Sequence, residues 1–259
     1  MVVNAAARSP ALNVVWHDLE CGGYRADLPL WRELAGRSQR GSRPGPILDI
    51  GAGTGRVARD LAVAGHRVTA LDLDPLLLGA LRGRAGGETV RTVCADARAF
   101  ELDRRDFALC LVPMQTVQLL GGRPGRMAFL RRARAHLRPG GMLACAIVTD
   151  FEAFDCADGE GAPAAESVRL DGVLYVSRAV RVSLRADSAL IERERRVLGA
   201  AGRGASAGRV VEHDAIELDR VSAAELEREA AEAGLRAAAA RLLSSTDDHV
   251  ASVVVVCHA

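Results

Sequence analysis

The chain has 259 residues, 49% of them hydrophobic and 26% charged, which is enough for one large domain or two small ones with a buried core. Its 34 basic and 33 acidic side chains leave a net charge of +1, whereas dedicated nucleic-acid binders and polybasic membrane binders carry a clustered basic excess. All the basic residues are arginine, which excludes chemistry that needs a lysine amine, such as Schiff-base formation or a phosphate-loop lysine.

Short apolar runs alternate with helical stretches between residues 46 and 150. The breaker-rich segment 41–46 precedes a first strand, Ile47–Ile50, and Pro75 opens the second helix of the series. The other predicted strands are 66–71, 89–95, 107–112 and 142–148, and the predicted helices are 54–64, 75–84 and 123–137. Repeated β-α units with continuously apolar strands predict an α/β fold, in which helices cover both faces of a parallel sheet.

The pattern changes after Asp150. A loop of small and acidic residues, 157–167, precedes segments that alternate with a period of two, and a second loop, 199–208, separates the last two segments. The alternating segments are 173–184, 190–198 and 210–218. Ser222 and Glu225 form a capping-box pattern for a helix, and a final strand is predicted at 250–257. We therefore predict that antiparallel strands are inserted into the α/β domain.

The first strand leads into a glycine-rich turn and a helix. Gly51 permits a tight turn, Gly53 lets a ligand approach the backbone, and the helix start favours an anionic group nearby. A dinucleotide fingerprint would have its third glycine at position 56, but this chain has Arg56 there and the glycine one residue earlier. Asp72 and Asp96 end the next two strands, where carboxylates can accept hydrogen bonds from ribose hydroxyls and an adenine amino group.

Four motifs occur in order along this half: DIGAGTGR at 49–56, ALDLDP at 70–75, CADA at 94–97 and LRPGG at 137–141. Together they resemble the motifs of class I S-adenosylmethionine-dependent methyltransferases. The resemblance implies a Rossmann-like methyltransferase fold, with a doubly wound, seven-stranded, mostly parallel sheet. It further implies an N-terminal helical lid, a cofactor-binding domain and an inserted three-stranded antiparallel subdomain. The predicted bounds are 1–45 for the lid, 46–155 with 220–259 for the domain, and 165–219 for the insertion.

The resemblance also implies S-adenosylmethionine as cofactor, S-adenosylhomocysteine as product and a role for each matching residue. Gly51, Ala52 and Gly53 are implied to line the methionyl and ribose part of the cofactor, and Asp72 to hold the ribose hydroxyls. Leu73 is implied to pack on the adenine ring, and Asp96 with Ala97 to bind the adenine edge. The backbone of Val112 is implied to meet the amino group of the cofactor. In relatives an aromatic residue near the start of the lid touches the cofactor. This chain has Trp16 where tyrosine is common, so the contact is assigned to Tyr24.

The second half is similar to small-molecule methyltransferases, including the amino-sugar N-methyltransferase type, which insert antiparallel strands over the active site. The similarity rests on Val-Glu-His at 211–213 and the helix that follows. His213 is the candidate substrate-facing base, with a structurally satisfied strand histidine as the alternative. Leu119 stands where relatives often carry a histidine, which argues against a base from that loop. Glu20 and Asp150 could hold an amine or be surface charges, and surface is the favoured interpretation of Glu20.

Several alternatives stay open for the acceptor. A hydroxyl acceptor needs a base whereas an amine needs only to be unprotonated, so both N- and O-methylation remain. Near-neutral charge predicts a small-molecule acceptor, with no nucleic-acid and no membrane partner. The inserted strands could cover the substrate, form a homodimer interface, or do both. Other interpretations are an NAD(P)-dependent oxidoreductase, which shares the strand-turn-helix, and a non-catalytic S-adenosylmethionine-binding protein.

The sequence also predicts the compartment and the state of the cysteines. No apolar run approaches the roughly 18 residues that span a bilayer, and the first residues lack a signal-peptide layout, which predicts a cytoplasmic protein. The six cysteines include no C-x-x-C pair, and most lie in apolar runs. We predict buried, inert thiols and no metal site.

Overall fold

The structure is a computed structural model that describes residues 10–39, 44–156, 163–199, 209–246 and 249–259. The chain divides into two compact units. The larger unit consists of Tyr24–Asp150 with Asp219–Ala259, and the smaller unit of Met1–Gly23 with Phe151–Leu218. Most of the predicted loops 157–167 and 199–208 lies outside the described residues. The division at Gly23 cuts the predicted lid, so its first helix belongs to the smaller unit and its second to the larger.

The elements agree with the predicted order and differ mainly at their ends. They are α1 (Pro10–Cys21), α2 (Leu28–Ser38), β1 (Ile47–Ile50), α3 (Arg56–Val63), β2 (Val68–Asp72), α4 (Pro75–Arg82), β3 (Arg91–Cys94), β4 (Phe107–Val112), a 3₁₀ turn (Thr116–Leu119), α5 (Gly122–His136), β5 (Leu137–Ile147), β6 (Phe154–Asp155), β7 (Glu166–Leu170), β8 (Val173–Leu184), β9 (Ser188–Leu198), β10 (Arg209–Asp219), α6 (Ala223–Glu232), β11 (Arg236–Ala237), β12 (Arg241–Leu243) and β13 (Ser252–His258).

The sheet of the larger unit has the strand order β11-β13-β5-β4-β1-β2-β3. β5, β4, β1, β2 and β3 run parallel, and β13 is antiparallel to β5. β11 and β12 both pair with β13, each along a different stretch of it. The predicted doubly wound, mostly parallel sheet is confirmed, but within the described residues it has eight strands rather than the predicted seven, because the short segments β11 and β12 both add to β13. The chain winds outward from β1 in one direction to β3 and then returns to β4, so the switch point of the topology lies between β1 and β4.

Side chains on both faces of this sheet are buried. On β4, Leu109 and Leu111 belong to the cluster on one face, while Cys110 and Val112 belong to the cluster on the other. A strand covered on both sides has no polar face, which is why these strands are continuously apolar in the sequence. The predicted capping box is confirmed at the start of α6, where Ser222 and Glu225 cap each other's backbone.

The smaller unit contains an antiparallel sheet of five strands with the order β10-β9-β8-β6, in which β7 also pairs with β8. The three predicted strands correspond to β8, β9 and β10. The predicted number of three is wrong, because Phe154–Asp155 and Glu166–Leu170 add two short strands along β8. Phe154–Asp155 is too short to show an alternation of polar and apolar residues, and Glu166–Leu170 begins inside the predicted loop 157–167.

The structure also bears on the predictions about membrane-spanning segments and cysteines. Among the helices described, none is both long enough and apolar enough to span a bilayer. Cys110, Cys145, Cys156 and Cys257 are buried free thiols, as predicted. Cys94 is exposed, because it is the last residue of the outermost strand, β3.

Candidate functional site

Glycine shapes the turn that follows β1. Gly51 and Gly53 have φ values of +67° and +55°, in the left-handed region that favours glycine. A Cβ atom added at Gly51 would clash with the side chain of Thr116, so the loop after β4 packs directly on the turn. Gly55 caps the N-terminus of α3, whose first N–H groups have no partner inside the helix. The turn therefore presents backbone donors at the carboxyl end of β1.

Asp72 lies beside this turn at the end of β2. One of its oxygens, Oδ2, accepts a hydrogen bond of 2.7 Å from the Gly53 N–H, and Oδ1 accepts one of 2.9 Å from the Asp74 N–H. Each carboxylate oxygen can accept a further bond, so the pair can still receive two neighbouring hydroxyls. Leu73, the next residue, exposes 67% of its surface. A hydroxyl-binding carboxylate beside an exposed apolar side chain suits a ribose that carries a flat base.

Asp96 follows β3 and is already engaged by a neighbour. The Arg98 guanidinium binds both of its oxygens at 2.6 to 3.0 Å, and the Arg98 N–H adds a bond of 2.8 Å. These hydrogen bonds from Arg98 hold the pKa of Asp96 below its ordinary value, so the carboxylate stays ionised. Ala97 is partly buried against the core. An adenine amino group at Asp96 would therefore have to share the carboxylate with Arg98.

The loop after β4 begins at Val112, which is fully buried. Met114, two residues later, has a φ of +53°, a conformation uncommon outside glycine. Gln118 is buried in the following 3₁₀ turn, where its side chain accepts a bond from the Val148 N–H and donates to two backbone carbonyls. This ties the loop to the end of β5. Leu119, where a histidine is common in relatives, is exposed and offers no base.

Asp49 is a buried carboxylate inside the motif, on β1. It is 1% exposed, and apart from a weak interaction with the Ala58 backbone its oxygens have no hydrogen-bond partner within the described residues. Burial raises the pKa of Asp49 to about 8, with a contribution from the negative charge of Asp72, while Arg56 opposes the rise. The carboxyl is thus poised near neutral pH, and a cation bound over the turn would favour its ionised form.

Arg56, which breaks the dinucleotide fingerprint, forms a buried ion pair with Asp27. Two hydrogen bonds of 2.5 and 2.7 Å join the guanidinium to the carboxylate, and the Trp31 Nε1–H donates to the same carboxylate at 2.7 Å. The Arg56 guanidinium also donates to the Tyr24 carbonyl at 2.9 Å and lies 5.3 Å from the centre of the Tyr24 ring. The arginine at position 56 thereby fixes the backbone of Tyr24 next to the start of α3.

Tyr24 is the predicted aromatic contact, and the structure places it in the same unit as the turn. Its ring is buried and stacks on His249, with ring centres 4.5 Å apart. Burial, together with the charge of Asp27, raises the pKa of Tyr24, so its hydroxyl stays protonated at neutral pH. Trp16, which stands where relatives carry the contacting tyrosine, belongs to the smaller unit. Its ring packs edge-on against Tyr175.

His213 lies in the smaller unit, on β10. It is exposed and lines an open cleft of about 270 Å³ whose other walls include the charged residues Arg181, Glu192, Glu194 and Asp214. Such a cleft can accept a polar or cationic group. The role of His213 as a base stays a prediction.

The structure contradicts the interpretation of Glu20 as surface charge. The Glu20 carboxylate is largely buried and accepts two hydrogen bonds of 2.7 Å from Arg195 and one of 2.7 Å from Ser177. Burial alone would raise the pKa of Glu20, but the bonds from Arg195 and Ser177 leave it below its ordinary value. This ion pair anchors α1 to the antiparallel sheet. Asp150 is exposed, which agrees with a surface charge.

The larger unit contains every predicted cofactor residue from Tyr24 to Val112, whereas His213 belongs to the other unit. Sequence reasoning missed Asp27, Thr116 and His249. None of them lies in a recognisable motif, since each acts through a partner distant in the chain. Within the described ranges, no group of three or more His, Cys, Asp or Glu side chains is arranged to hold a metal ion.

Comparison with protein families identifies one domain. Residues 47–141 match the family described as "Methyltransferase domain". The chain is also 32% identical over 117 residues to the probable cobalt-precorrin-6B C(15)-methyltransferase (decarboxylating) of Methanothermobacter thermautotrophicus. That match covers 42% of this chain and 57% of the relative, so the chain spans a little over half the length of the curated relative.

Solved structures match over nearly the whole chain. One is CalS10 with bound S-adenosylmethionine, an amino pentose methyltransferase of Micromonospora echinaspora, with a TM-score of 0.69 and 20% identity over 99% of both chains. Another is KedS8, a sugar N-methyltransferase of Streptoalloteichus sp., with a TM-score of 0.70 and 17% identity over 98% of this chain and 96% of that one. At this level of identity the likeness concerns the fold. Together with the domain match it confirms the predicted class I methyltransferase resemblance.

Proposed function

Since residues 47–141 of this chain are a methyltransferase domain on a class I methyltransferase fold, we propose that the protein transfers a methyl group from S-adenosylmethionine to a small-molecule acceptor. The observation that carries this proposal is the pairing of Asp72 with the glycine-rich turn. The carboxylate and the backbone donors of the turn lie at the carboxyl ends of adjacent strands, beside the switch point, where open α/β sheets bind ligands.

The residues around the turn suit this cofactor. The left-handed turn at Gly51 and Gly53 lets the backbone around Ala52 approach the methionyl and ribose part, and Asp72 can receive the two ribose hydroxyls. Leu73 offers an exposed apolar face for the adenine. Asp49, buried without a strong partner behind the turn, favours a ligand that carries positive charge. The cofactor supplies an electrophilic methyl group on a sulfonium.

The side chains of Asp96, Ala97 and Val112 are less open to a ligand than that of Leu73. Asp96 is shared with Arg98, so its bond to an adenine amino group would need the Arg98 side chain to adjust. Ala97 is partly buried, and Val112 can contribute only its backbone, since its side chain is enclosed in the core. These positions remain part of the proposal because they end β3 and β4 at the same edge of the sheet as Asp72.

The chain's own contribution to the reaction is alignment and exclusion of water. Holding two reactants in the attacking geometry supplies roughly 7 to 11 kcal/mol of the barrier in well-oriented systems. Buried Tyr24 and the loop after β4 form the walls that such a geometry requires. An acceptor atom that attacks the methyl group must be unprotonated, which makes proton removal the remaining task of the protein.

The acceptor class is proposed to be a small amine, with a hydroxyl compound as the alternative. The two solved structures described above are an amino pentose methyltransferase and a sugar N-methyltransferase. The open cleft at His213 has walls of both charges, including Glu192 paired with Arg181, and such walls suit a polar group. We further propose that the protein acts in the cytoplasm without nucleic acid or membrane, in line with its net charge of +1. A homodimer through the smaller unit is an additional proposal.

Thermal unfolding with S-adenosylmethionine, S-adenosylhomocysteine and NADH tests the cofactor. A ligand at about a hundred times its Kd adds roughly 2.7 kcal/mol of stability, which a melting curve resolves. We expect both adenosyl ligands to raise the Tm. Asp72→Ala should weaken that rise, and Asp106→Ala, which removes an exposed aspartate of the same unit, should leave it intact. A rise with NADH alone would instead assign the turn to a dinucleotide.

Activity decides between an enzyme and a non-catalytic binding protein. Production of S-adenosylhomocysteine from S-adenosylmethionine should rise when a panel of amino sugars is added as acceptors. Binding of the cofactor without turnover on amines or hydroxyl compounds would favour the non-catalytic alternative.

A further inference from the structure

A narrow cleft of the larger unit opens beside the loop after β4. Its walls include Tyr24, Met114 and Gln115, together with His249 and Ser252 from the hairpin that leads into β13. The cleft holds about 50 Å³. The cleft is large enough for a small group such as an amine or a methyl group to enter. The left-handed backbone of Met114 forms part of this wall, and such outliers cluster at functional sites.

The cleft adjoins the cofactor end of the site. Thr116, which directly follows Gln115, is the residue whose side chain packs on Gly51. In the sheet, β4 and β2 flank β1 on opposite sides. A ligand whose ribose lies at Asp72, on the β2 side, therefore extends across the turn toward the β4 side. The far end of that ligand faces the cleft.

His249 is held in the cleft with its ring nitrogens available. Its ring stacks on Tyr24 at 4.5 Å with an angle of 29° between the planes. The Thr246 N–H donates a bond of 2.8 Å to the His249 carbonyl, which helps to fix the backbone of His249. Within the described residues, neither ring nitrogen takes part in a hydrogen bond. Both nitrogens can therefore exchange a proton with a group that enters the cleft.

Asp27, Arg56 and Tyr24, which lie near His249, are not available to accept a proton in the cleft, whereas His249 is. The Asp27 carboxylate is committed to Arg56 and to the Trp31 Nε1–H. Arg56 carries a permanent positive charge, and the Tyr24 hydroxyl shares a hydrogen bond with Ser252 and stays protonated. Histidine is the side chain among these whose charge ordinarily changes between pH 5 and 8.

We propose that this cleft receives the attacking atom of the acceptor and that His249 removes its proton. The proposal rests on the methyl transfer proposed above and moves the base from His213 to the larger unit. For an amine, its nitrogen forms a bond to the methyl carbon while the carbon–sulfur bond breaks. The bonding pair remains on sulfur, which becomes a neutral thioether. The new ammonium gives its proton to a ring nitrogen of His249, which then returns it to water.

Sinefungin provides a probe that requires no knowledge of the acceptor. In this analogue an amine-bearing carbon replaces the methylsulfonium, so its ammonium points to the transfer position, whereas S-adenosylhomocysteine has no charge there. The Kd of each ligand is measured by calorimetry between pH 5.5 and 8. If His249 faces the transfer position, its protonated form repels the ammonium. The ratio of sinefungin to S-adenosylhomocysteine affinity should then fall roughly tenfold as the histidine becomes charged at low pH.

Three variants show whether His249 is the residue that causes this pH dependence. His249→Gln should abolish the fall of the affinity ratio at low pH, because glutamine retains the polarity of the side chain without titrating. His258→Gln, the same change at the far end of β13, should retain it. Asp49→Asn should also retain it, which separates the effect of His249 from that of Asp49, whose pKa burial raises to about 8.

A flat ratio in the wild type, or a step that survives His249→Gln, would overturn the inference and leave the proposed function intact. Failure of both ligands to bind would instead overturn the proposed function, and the inference with it. If His249→Gln does not fold, NMR titration of the histidine rings decides. One ring should titrate at lower pH in the sinefungin complex than in the S-adenosylhomocysteine complex, in the wild type and in His258→Gln alike. The absence of such a ring would overturn the inference.

Discussion

Each of the two units contains a carboxylate that is largely buried, and the surroundings of the two carboxylates differ. In the larger unit, Asp49 has no strong partner, and burial raises its pKa to about 8. In the smaller unit, Glu20 is bound by Arg195 and Ser177, and its pKa is lowered in spite of burial. A paired carboxylate stabilises its own unit. An unpaired one costs stability and is retained where a ligand can supply the missing charge.

This difference extends to the neighbouring charges. The antiparallel sheet pairs its charges across strands, as in Arg181 with Glu192 and Arg193 with Glu166. The larger unit concentrates Asp27, Asp49 and Asp72 around one guanidinium, that of Arg56. A surplus of negative charge around the glycine-rich turn is what a cationic cofactor requires. The site is therefore electrostatically incomplete by itself, whereas the sheet of the smaller unit pairs the charges named above, although Oε2 of Glu212 there is buried without a hydrogen bond.

Asp49→Asn has the largest expected effect. Below the usual pKa of 3.8 the carboxyl is neutral in both the folded and the unfolded state, and above about pH 8 it is ionised in both. Between these values the folded state binds the extra proton, so the stability of the wild type falls as the pH rises. The stability of Asp49→Asn relative to the wild type should thus increase from pH 4 to pH 8, by at most roughly 5 kcal/mol. Urea unfolding at both pH values measures this.

A constant difference between the Asp49→Asn and wild-type stabilities across that pH range would show that Asp49 is ionised throughout. The contrast between the two carboxylates would then be lost.

Arg56→Met should destabilise the larger unit by about 3 to 5 kcal/mol, because Asp27 would stay buried without its counter-ion. The matched control is Arg32→Met, which removes an equally bidentate pair with Asp60 on the surface. Arg32 is 56% exposed, so that loss should be much smaller. Equal losses of unfolding free energy in urea for the two variants would contradict the role of burial.

Glu20→Gln tests the paired carboxylate of the smaller unit and should cost about 2 kcal/mol at pH 7. Because its folded pKa lies below 4.5, the stabilisation is present above that pH and is lost as the pH falls through the folded pKa. The stability gap between wild type and variant should therefore close in acid, which is opposite in sign to the change expected for Asp49. Glu217→Gln, an exposed control on β10, should have little effect.

Gly51→Ala has the smallest expected effect on stability and a large one on binding. A left-handed alanine costs about 1 to 2 kcal/mol, and its Cβ would push against Thr116. We expect affinity for S-adenosylhomocysteine to fall at least tenfold by calorimetry. Gly79→Ala, in the interior of α4 where an added Cβ meets no atom, should leave affinity unchanged and stabilise by roughly 0.5 to 1 kcal/mol. Unchanged affinity in Gly51→Ala would separate the turn from the cofactor site.

Much of the larger unit follows from local patterns. Continuous apolar runs, glycine in the turn and the Ser222–Glu225 capping box each act within a few residues, so the order of β1 to β5 and the start of α6 could be predicted. The position of Asp72 beside the glycine-rich turn could be predicted because it directly ends an apolar strand. The short strands β6, β11 and β12 could not, since two or three residues show no periodicity, and β7 begins inside the segment 157–167 that was predicted as a loop.

The sequence by itself determined the α/β class, the match to a methyltransferase domain and the strand ends at which the glycine-rich turn and Asp72 lie, because periodicity and motif spacing are local properties of the chain. Tertiary structure alone decided which charges are paired. Glu20 meets Arg195 across 175 residues, Arg56 meets Asp27 across 29, and His249 stacks on Tyr24 from the last hairpin. The burial and the pKa of a charged side chain depend on such distant partners. Folding brings these partners together through apolar contacts, which are non-directional and do not indicate in the sequence which polar residues will pair.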